Sequence, residues 1–290
     1  MVSVGIMLRA LIILFCLAHV ALAVNSIDQD FACPFDGFKW KQRMETSADA
    51  KGLRLDLRQL GDVVQPPTLP QCPKCRAVLF MDVFPPKVLA SLKPFIATED
   101  FAQFAGKYPT YYVLAQMQER LKAPPYYTGY SYLRASWQLE AKPAAARHCM
   151  ARAHECFAAA LADKTNKHSA NTALLLGELE RRLERFENAE ARFRVMMDGD
   201  AFKEAGHQRI IARQMELIAK RDSQPHGIFP AHDALVSAPA VSVLHSSPAP
   251  VGAKPLPRVE VIVPHSLESV SEAAEKIPRG IPKPKVITRP

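Results

Sequence analysis

The stretch 174-LLLGELERRLERFENAEARF-193 decides the fold of this 290-residue chain, because it places one small residue inside a strongly helical, leucine-rich run. Apolar residues recur at helical spacing on both sides of a short break, so we predict helices at about 171–185 and 187–197. The short break predicts an antiparallel hairpin. Gly177 would let the two helices approach closely, and Ala189 and Phe193 would fill the gap between them.

The order of Leu176, Gly177, Ala189 and Phe193 resembles the tetratricopeptide repeat, in which a small residue on one helix faces Ala and Phe on the next. The preceding pair of helices repeats the pattern more loosely, with Ala135 at the small position of the first helix and Ala153, Phe157 and Ala160 at the positions of the second helix. A helical bundle without repeats is the alternative. The resemblance implies a scaffold that binds a peptide or a partner protein, and we assign that role to Tyr130, Trp137, Leu176 and Gly177.

Helical patterns fill the whole region 85–222, which we predict to be one helical domain. Besides the hairpin, helices are predicted at about 87–92, 99–105, 111–121, 126–137, 143–162 and 203–221. Thr98 is the expected N-cap of the second of these, because its hydroxyl can accept a hydrogen bond from a free backbone amide.

The region 24–84 carries the strand signals. Residues 53–58 alternate between apolar and charged side chains, as in a half-buried strand, and the apolar run 77–84 predicts a second, more buried strand. Two or three strands bury too little apolar surface to fold alone. We therefore expect another interaction to hold this module together, and we predict an α+β fold, mostly α, with a small zinc-ribbon-like β module.

Two cysteine motifs supply that interaction. The stretches 33-CPFDG-37 and 72-CPKCR-76 each resemble a zinc knuckle of the CPxCG type, with Asp36 and Arg76 as departures from the pattern. In such a knuckle a tight turn directs two ligands at one metal ion. Because a carboxylate can also bind zinc, the predicted ligands of a structural zinc ion are Cys33, Asp36, Cys72 and Cys75.

A disulfide bond is the alternative. Cys33 could pair with Cys72 or Cys75 and close a loop of about forty residues, with a stabilisation of roughly 3–4 kcal/mol. A metal-dependent or thiol-based periplasmic enzyme using the same cysteines is the competing function. The chain contains no HExxH motif, no nucleophile elbow and no P-loop. A structural site in a non-enzymatic protein is therefore the prediction.

The combination of motifs resembles the bacterial family known as domain of unknown function 2225. It includes the knuckle at Cys33, an Arg-Leu-Asp-Leu segment at 54–57, a proline-rich loop, the knuckle at Cys72 and the helices that follow. The resemblance covers about 31–221. It implies the architecture above and leaves the function open, because no established activity comes with the family.

The two ends of the chain predict export and a loose tail. Arg9 precedes an apolar run that ends in Ala21-Leu22-Ala23, which indicates a signal peptide over 1–23, cleaved after Ala23, and a periplasmic or secreted protein. A retained anchor is the alternative. Half of the 24 prolines lie in 223–290, so we predict a disordered tail in which 259–263 is the one candidate strand.

The positive charge is spread along the chain. The net charge is +8 and the pI is about 9.2, yet acidic and basic residues alternate at helical spacings over 178–194. Such a pattern is typical of a solvated helix face, so no nucleic-acid partner is predicted. A weak association with a membrane or cell-wall surface stays open. The sequence as a whole predicts an exported adaptor for an unknown protein or peptide partner.

Overall fold

The computed structural model describes residues 26–45, 50–61, 65–163, 165–166 and 168–236. The predicted signal peptide, the segment 259–263 and the rest of 237–290 lie outside the described residues. Four strands come first: β1 Ser26–Ala32, β2 Lys39–Glu45, β3 Ala50–Leu53 and β4 Gln59–Gly61. They pair as two antiparallel hairpins, β1 with β2 and β3 with β4.

Helices make up most of the remaining described chain. In order they are α1 Pro86–Ile96, α2 Glu99–Lys107, α3 Thr110–Arg120, α4 Pro125–Gln138, α5 Pro143–Ala162, α6 Ser169–Arg182, α7 Phe186–Asp198, α8 Ala205–Ala219 and the short α9 Asp233–Val236. Short 3-10 turns occupy Asp200–Phe202 and Pro230–His232. The prediction of an α+β fold, mostly α, is confirmed. Within the described residues, no helix is both long and apolar enough to cross a membrane.

The helices start where the sequence provides a suitable first turn. Pro86, Pro125 and Pro143 lie at the beginnings of α1, α4 and α5, where the fixed φ of proline suits a helix and its missing amide is not needed. Thr98 precedes α2 and accepts a hydrogen bond from the backbone amide of Phe101 at 3.2 Å. The predicted N-cap is therefore confirmed.

Successive helices pack against each other through short connections at 139–142 and 183–185. One apolar cluster joins α4, α5 and α6 and includes Leu133, Trp137, Phe157, Leu176 and Leu179. A second joins α6, α7 and α8 around Phe193. The helices therefore pack through a series of apolar clusters.

A close approach between α6 and α7 occurs at the predicted glycine. A Cβ atom on Gly177 would lie only 2.5 Å from the Phe193 ring, so the ring occupies the space that the glycine leaves open. In the preceding hairpin the corresponding contact is made by Gly129, whose added Cβ would meet the Phe157 ring at 3.1 Å. The assignment of Ala135 to this position was wrong: Ala135 is buried in a different cluster, which includes residues of α1, α2 and α3.

We expect Gly177→Ala to destabilise the fold by about 1–3 kcal/mol, because the new methyl group forces the Phe193 ring to move in a close-packed core. Gly106→Ala is the matched control, since a Cβ on Gly106 meets nothing within 4 Å. In a helix this control should be neutral or stabilising by up to about 1 kcal/mol. Chemical unfolding monitored by circular dichroism checks both, and equal stabilities for the two variants would contradict the close approach.

The two predicted strands of the β module were placed wrongly. The first was predicted over 53–58, but β3 ends at Leu53 and the chain then turns through 54–57, with Leu57 in the left-handed region at φ 68°. The alternation in this segment arises from a buried charged turn and not from a half-buried strand. In the second, residues 77–84, all of which the structure describes, contain only an isolated bridge between Val78 and Gln71.

A buried ion pair in the turn 54–57 connects the β module to Trp137 on α4 and to Glu140, which follows α4. Arg54 and Asp56 are both about 3% exposed, and the Arg54 Nη2 atom lies 2.6 Å from Asp56 Oδ2. Trp137 on α4 donates its indole N–H to the same Asp56 oxygen at 2.8 Å, and Arg54 also contacts Glu140 at 2.5 Å. Burial raises the pKa of Asp56, but the charges of Arg54 and Arg182 and the hydrogen bonds from Arg54 and the Arg58 amide together lower the pKa overall.

The chain after α8 is ordered up to Val236, so the prediction of a tail that is disordered from residue 223 was wrong for 223–236. The Leu55 amide donates to the His226 carbonyl at 3.0 Å, and the Ile228 amide donates to the Leu53 carbonyl at 2.9 Å. Arg181 on α6 donates to the backbone carbonyl of Gln224 at 2.9 Å. These backbone partners offset the entropy of ordering a segment that has little apolar patterning.

We expect Asp56→Ala to destabilise the fold by about 3–5 kcal/mol, because it leaves the Arg54 charge buried without its closest partner. Asp30→Ala should have little effect, since the Asp30 side chain is 85% exposed and its Oδ1 atom is as far as 4.0 Å from Lys41 Nζ. Because folding lowers the pKa of Asp56, its stabilisation is present at neutral pH and is lost as the pH falls below about 4. Unfolding at pH 7 and pH 3 checks this, and a wild-type advantage over Asp56→Ala that does not shrink at pH 3 would contradict it.

Candidate metal centre

The first knuckle is the turn between β1 and β2. The Cys33 amide donates to the Phe38 carbonyl at 2.8 Å, and the Gly37 amide donates back to the Cys33 carbonyl at 2.9 Å. Gly37 has φ +72°, a conformation that glycine adopts without a steric penalty. This turn directs the side chains of Cys33 and Asp36 to one point.

The second knuckle has the same backbone pattern. The Cys72 amide donates to the Ala77 carbonyl at 2.9 Å, and the Arg76 amide donates to the Cys72 carbonyl at 2.9 Å. Arg76 adopts φ +63° where the first knuckle has glycine, at a steric penalty of roughly 1–2 kcal/mol. The Gln71 side chain donates to the Arg76 carbonyl at 2.9 Å and supports this turn, a role that the sequence pattern did not indicate.

The two knuckles bring all four predicted ligands together. The ligand atoms of Cys33, Asp36, Cys72 and Cys75 lie within 4.8 Å of one another. The Cys33 and Cys75 sulfurs are 3.5 Å apart, and the Cys72 sulfur is 3.6 Å from the nearer oxygen of Asp36. Ligands placed tetrahedrally around zinc would be separated by about 3.8 Å for two sulfurs and about 3.5 Å for a sulfur and an oxygen. The cluster is therefore close enough to bind a metal ion and is compatible with zinc.

Asp36 is oriented by the backbone. Its Oδ1 atom accepts a hydrogen bond from the Phe38 amide at 2.9 Å, and its Oδ2 atom is the oxygen nearer to Cys72. Burial opposes ionisation of Asp36, but this amide and the nearby thiols donate hydrogen bonds that lower its pKa overall. The carboxylate is thus held in its charged form, with one oxygen available to a cation.

Burial disfavours the thiolate form of Cys33 and Cys75. Burial raises the pKa of the Cys33 thiol to about 11 and raises the pKa of Cys75 as well. A metal ion stabilises the thiolate form and releases the proton, so binding and ionisation occur together. All three cysteines are free thiols in this structure, at ligand distances from one another.

An apolar cluster packs against the knuckles. The Phe84 ring packs edge-on against the rings of Phe35, in the first knuckle, and Phe80, with 5.2 Å between ring centres in both pairs. Ala77 and Val78, which follow the second knuckle, are fully buried in a cluster that continues into the helices. The apolar run 77–84 therefore serves as the floor of the site, although it is not a strand.

Three of the four predicted partner-binding residues lie inside the protein. Trp137, Leu176 and Gly177 are buried in the helical core, where they pack helices together and offer almost no surface to a partner. Tyr130 is partly exposed, with the Arg134 guanidinium 4.6 Å from the centre of its ring. The repeat-like pattern predicted residues that pack the two helices of a hairpin together, and such residues are buried once the hairpin has folded.

No match to this chain was found among protein-family models, curated proteins or solved structures. The resemblance to the domain-of-unknown-function 2225 family therefore stays a prediction. The functional argument rests on the geometry of the site.

Proposed function

We propose that this chain is an exported, non-enzymatic scaffold protein in which Cys33, Asp36, Cys72 and Cys75 hold one structural zinc ion. The observation that carries the proposal is the convergence of these four donors from two knuckles with the same backbone hydrogen bonds. The knuckles begin 39 residues apart in sequence, so one ion would fix two distant parts of the module.

The donor set favours zinc over other common metals. Three sulfurs and one oxygen in a compact tetrahedral arrangement suit Zn²⁺, whereas Ca²⁺ and Mg²⁺ prefer six or more oxygen donors. The sulfur distances also leave space for an ion between them, because 3.5 Å is much longer than a disulfide bond of about 2.05 Å.

A structural role follows from the small size of the β module. Each of its sheets has only two strands, and an isolated two-stranded hairpin is marginally stable in water. Four protein donors would fill every position of a tetrahedral ion, which leaves none for a substrate. The alternative enzyme needs an open coordination position, which four protein donors do not leave, or a reactive thiolate, which the raised pKa of Cys33 disfavours.

The partner-binding part of the proposal rests on the first turns of α4. Tyr126, Tyr127, Tyr130 and Arg134 are all partly exposed there, and Tyr126 stacks on His168 at 4.3 Å. Tyrosine and arginine contribute strongly to protein interfaces. We propose that a protein or peptide partner contacts this aromatic patch, of which Tyr130 is the predicted member.

We further propose export through the signal peptide, with no nucleic-acid partner.

Metal analysis of Cys72→Ser tests the zinc site. We expect the wild-type chain from residue 24 to contain about one zinc per chain and the variant to contain almost none, because Cys72 is a fully buried ligand. Zinc loss should unfold the β module while most of the helical circular dichroism signal is retained, since α4–α8 have apolar clusters of their own.

Cys149→Ser is the matched control for that experiment. Cys149 is equally buried but lies on α5 and is not a member of the ligand cluster. The control should retain its zinc. A wild-type protein without metal, or a Cys72→Ser protein with the same zinc content and affinity as the control, would overturn the proposed site.

A further inference from the structure

We propose that Cys33 and Cys75 form a disulfide bond when the metal ion is removed in the presence of a disulfide oxidant, while Cys72 stays a free thiol. The inference rests on the proposed zinc site only for its trigger. The choice of the pair rests on the positions of the three sulfur atoms. It would give the β module two cross-linked forms, one held by metal and one by a covalent bond.

The positions of the sulfurs favour this pair. The Cys33 and Cys75 sulfurs lie 3.5 Å apart, across the two knuckles. A disulfide bond is about 2.05 Å long, so a movement of about 1.5 Å would bring them to bonding distance. The Cys72 sulfur faces the carboxylate of Asp36, at 3.6 Å and 3.8 Å from its two oxygens. Cys33 and Cys75 also neighbour Asp36, so the short distance between their sulfurs is what selects the pair.

Accessibility selects Cys75 as the sulfur that reacts first. Cys72 is fully buried and Cys33 is only 3% exposed, whereas Cys75 is partly exposed. A small disulfide in solution can therefore reach Cys75 before it reaches either of the others. Reaction at Cys75 then places the mixed disulfide next to Cys33.

The reaction consists of two thiol–disulfide exchanges. The Cys75 thiolate attacks one sulfur of glutathione disulfide, which breaks the S–S bond, forms a mixed disulfide and releases one glutathione thiolate. The Cys33 thiolate then attacks the Cys75 sulfur and releases the second glutathione. Two protein thiols are oxidised, one glutathione disulfide is reduced to two glutathiones, and the two thiol protons end on them. A bound metal ion would hinder both steps, because coordination makes each sulfur less nucleophilic and holds it at ligand distance from its neighbour.

The link would preserve the arrangement that the metal holds. It joins residues 42 apart, one in each knuckle, so the turn at 33–37 stays next to the turn at 72–76. A bond between Cys72 and Cys75 would lie within one knuckle and would leave the two knuckles unconnected. In an oxidising compartment, the cross-knuckle bond would keep the β module folded after metal loss.

Disulfide mapping of the wild-type chain tests the proposal. The protein is treated with a zinc chelator and glutathione disulfide, its free thiols are alkylated, and unreduced tryptic peptides are identified by mass spectrometry. Lys74 lies between Cys72 and Cys75, so trypsin separates the two cysteines and distinguishes the three pairings. We expect the peptide that ends at Lys39 to be linked to the dipeptide 75–76, with Cys72, Cys149 and Cys156 alkylated.

Two variants and one zinc control make the outcome decisive. Cys72→Ser should keep the Cys33–Cys75 link, and Cys75→Ser should lose it without forming a link between Cys33 and Cys72. A dominant bond that involves Cys72, or three free thiols after chelation, would overturn the inference. Zinc-loaded protein should resist oxidation. If the expected link forms equally with and without zinc, the proposed metal site fails while the pairing stands.

Discussion

One cluster of three sulfurs and one carboxylate lies where the two knuckles of the N-terminal module meet, and the proposed arrangement of that module depends on it. The hairpins β1–β2 and β3–β4 are separate two-stranded sheets with no ladder between them in the described residues. The knuckles at Cys33 and Cys72 meet over a small apolar floor around Phe84. A cation at that point would neutralise the thiolates and supply the cross-link that the small core lacks.

The module is fixed to the helices by a different interaction. Arg54 and Asp56 form a buried pair that the Trp137 indole completes, and the segment 223–236 adds backbone hydrogen bonds beside β3. A buried pair of this kind contributes little net free energy relative to apolar packing, but it is strongly destabilising when one partner is removed. It specifies how the module docks on α4, while α4–α8 keep apolar clusters of their own.

Periodicity made the helical part of the fold predictable. Leucine spacing located the helices, and Gly177 opposite Phe193 followed from the need for close approach. Gly129 was missed because its partner Phe157 lies near the far end of α5, 28 residues along the chain. The turn at 54–57 was mistaken for a strand, because a buried ion pair in a turn produces the same alternation as a half-buried strand.

The candidate site was predictable from ligand chemistry, since both knuckles carry Pro after Cys and the second ligand three residues on. The structure was needed for the supports that act through backbone atoms, such as the Phe38 amide on Asp36 and the Gln71 side chain on Arg76. It was also needed to show that Trp137 and Leu176 are buried, because one helical stripe can face either a core or a partner. The ordering of 223–236 depends on distant backbone partners, which composition does not reveal.

The central claim is that three sulfurs and one oxygen bind a single zinc ion. X-ray absorption at the zinc edge of the purified wild-type protein tests it most directly. The account predicts about three sulfur neighbours at about 2.3 Å and one oxygen at about 2.0 Å, with no exchangeable water. A first shell of nitrogen and oxygen atoms alone, or a shell with two sulfurs and bound water, would contradict it.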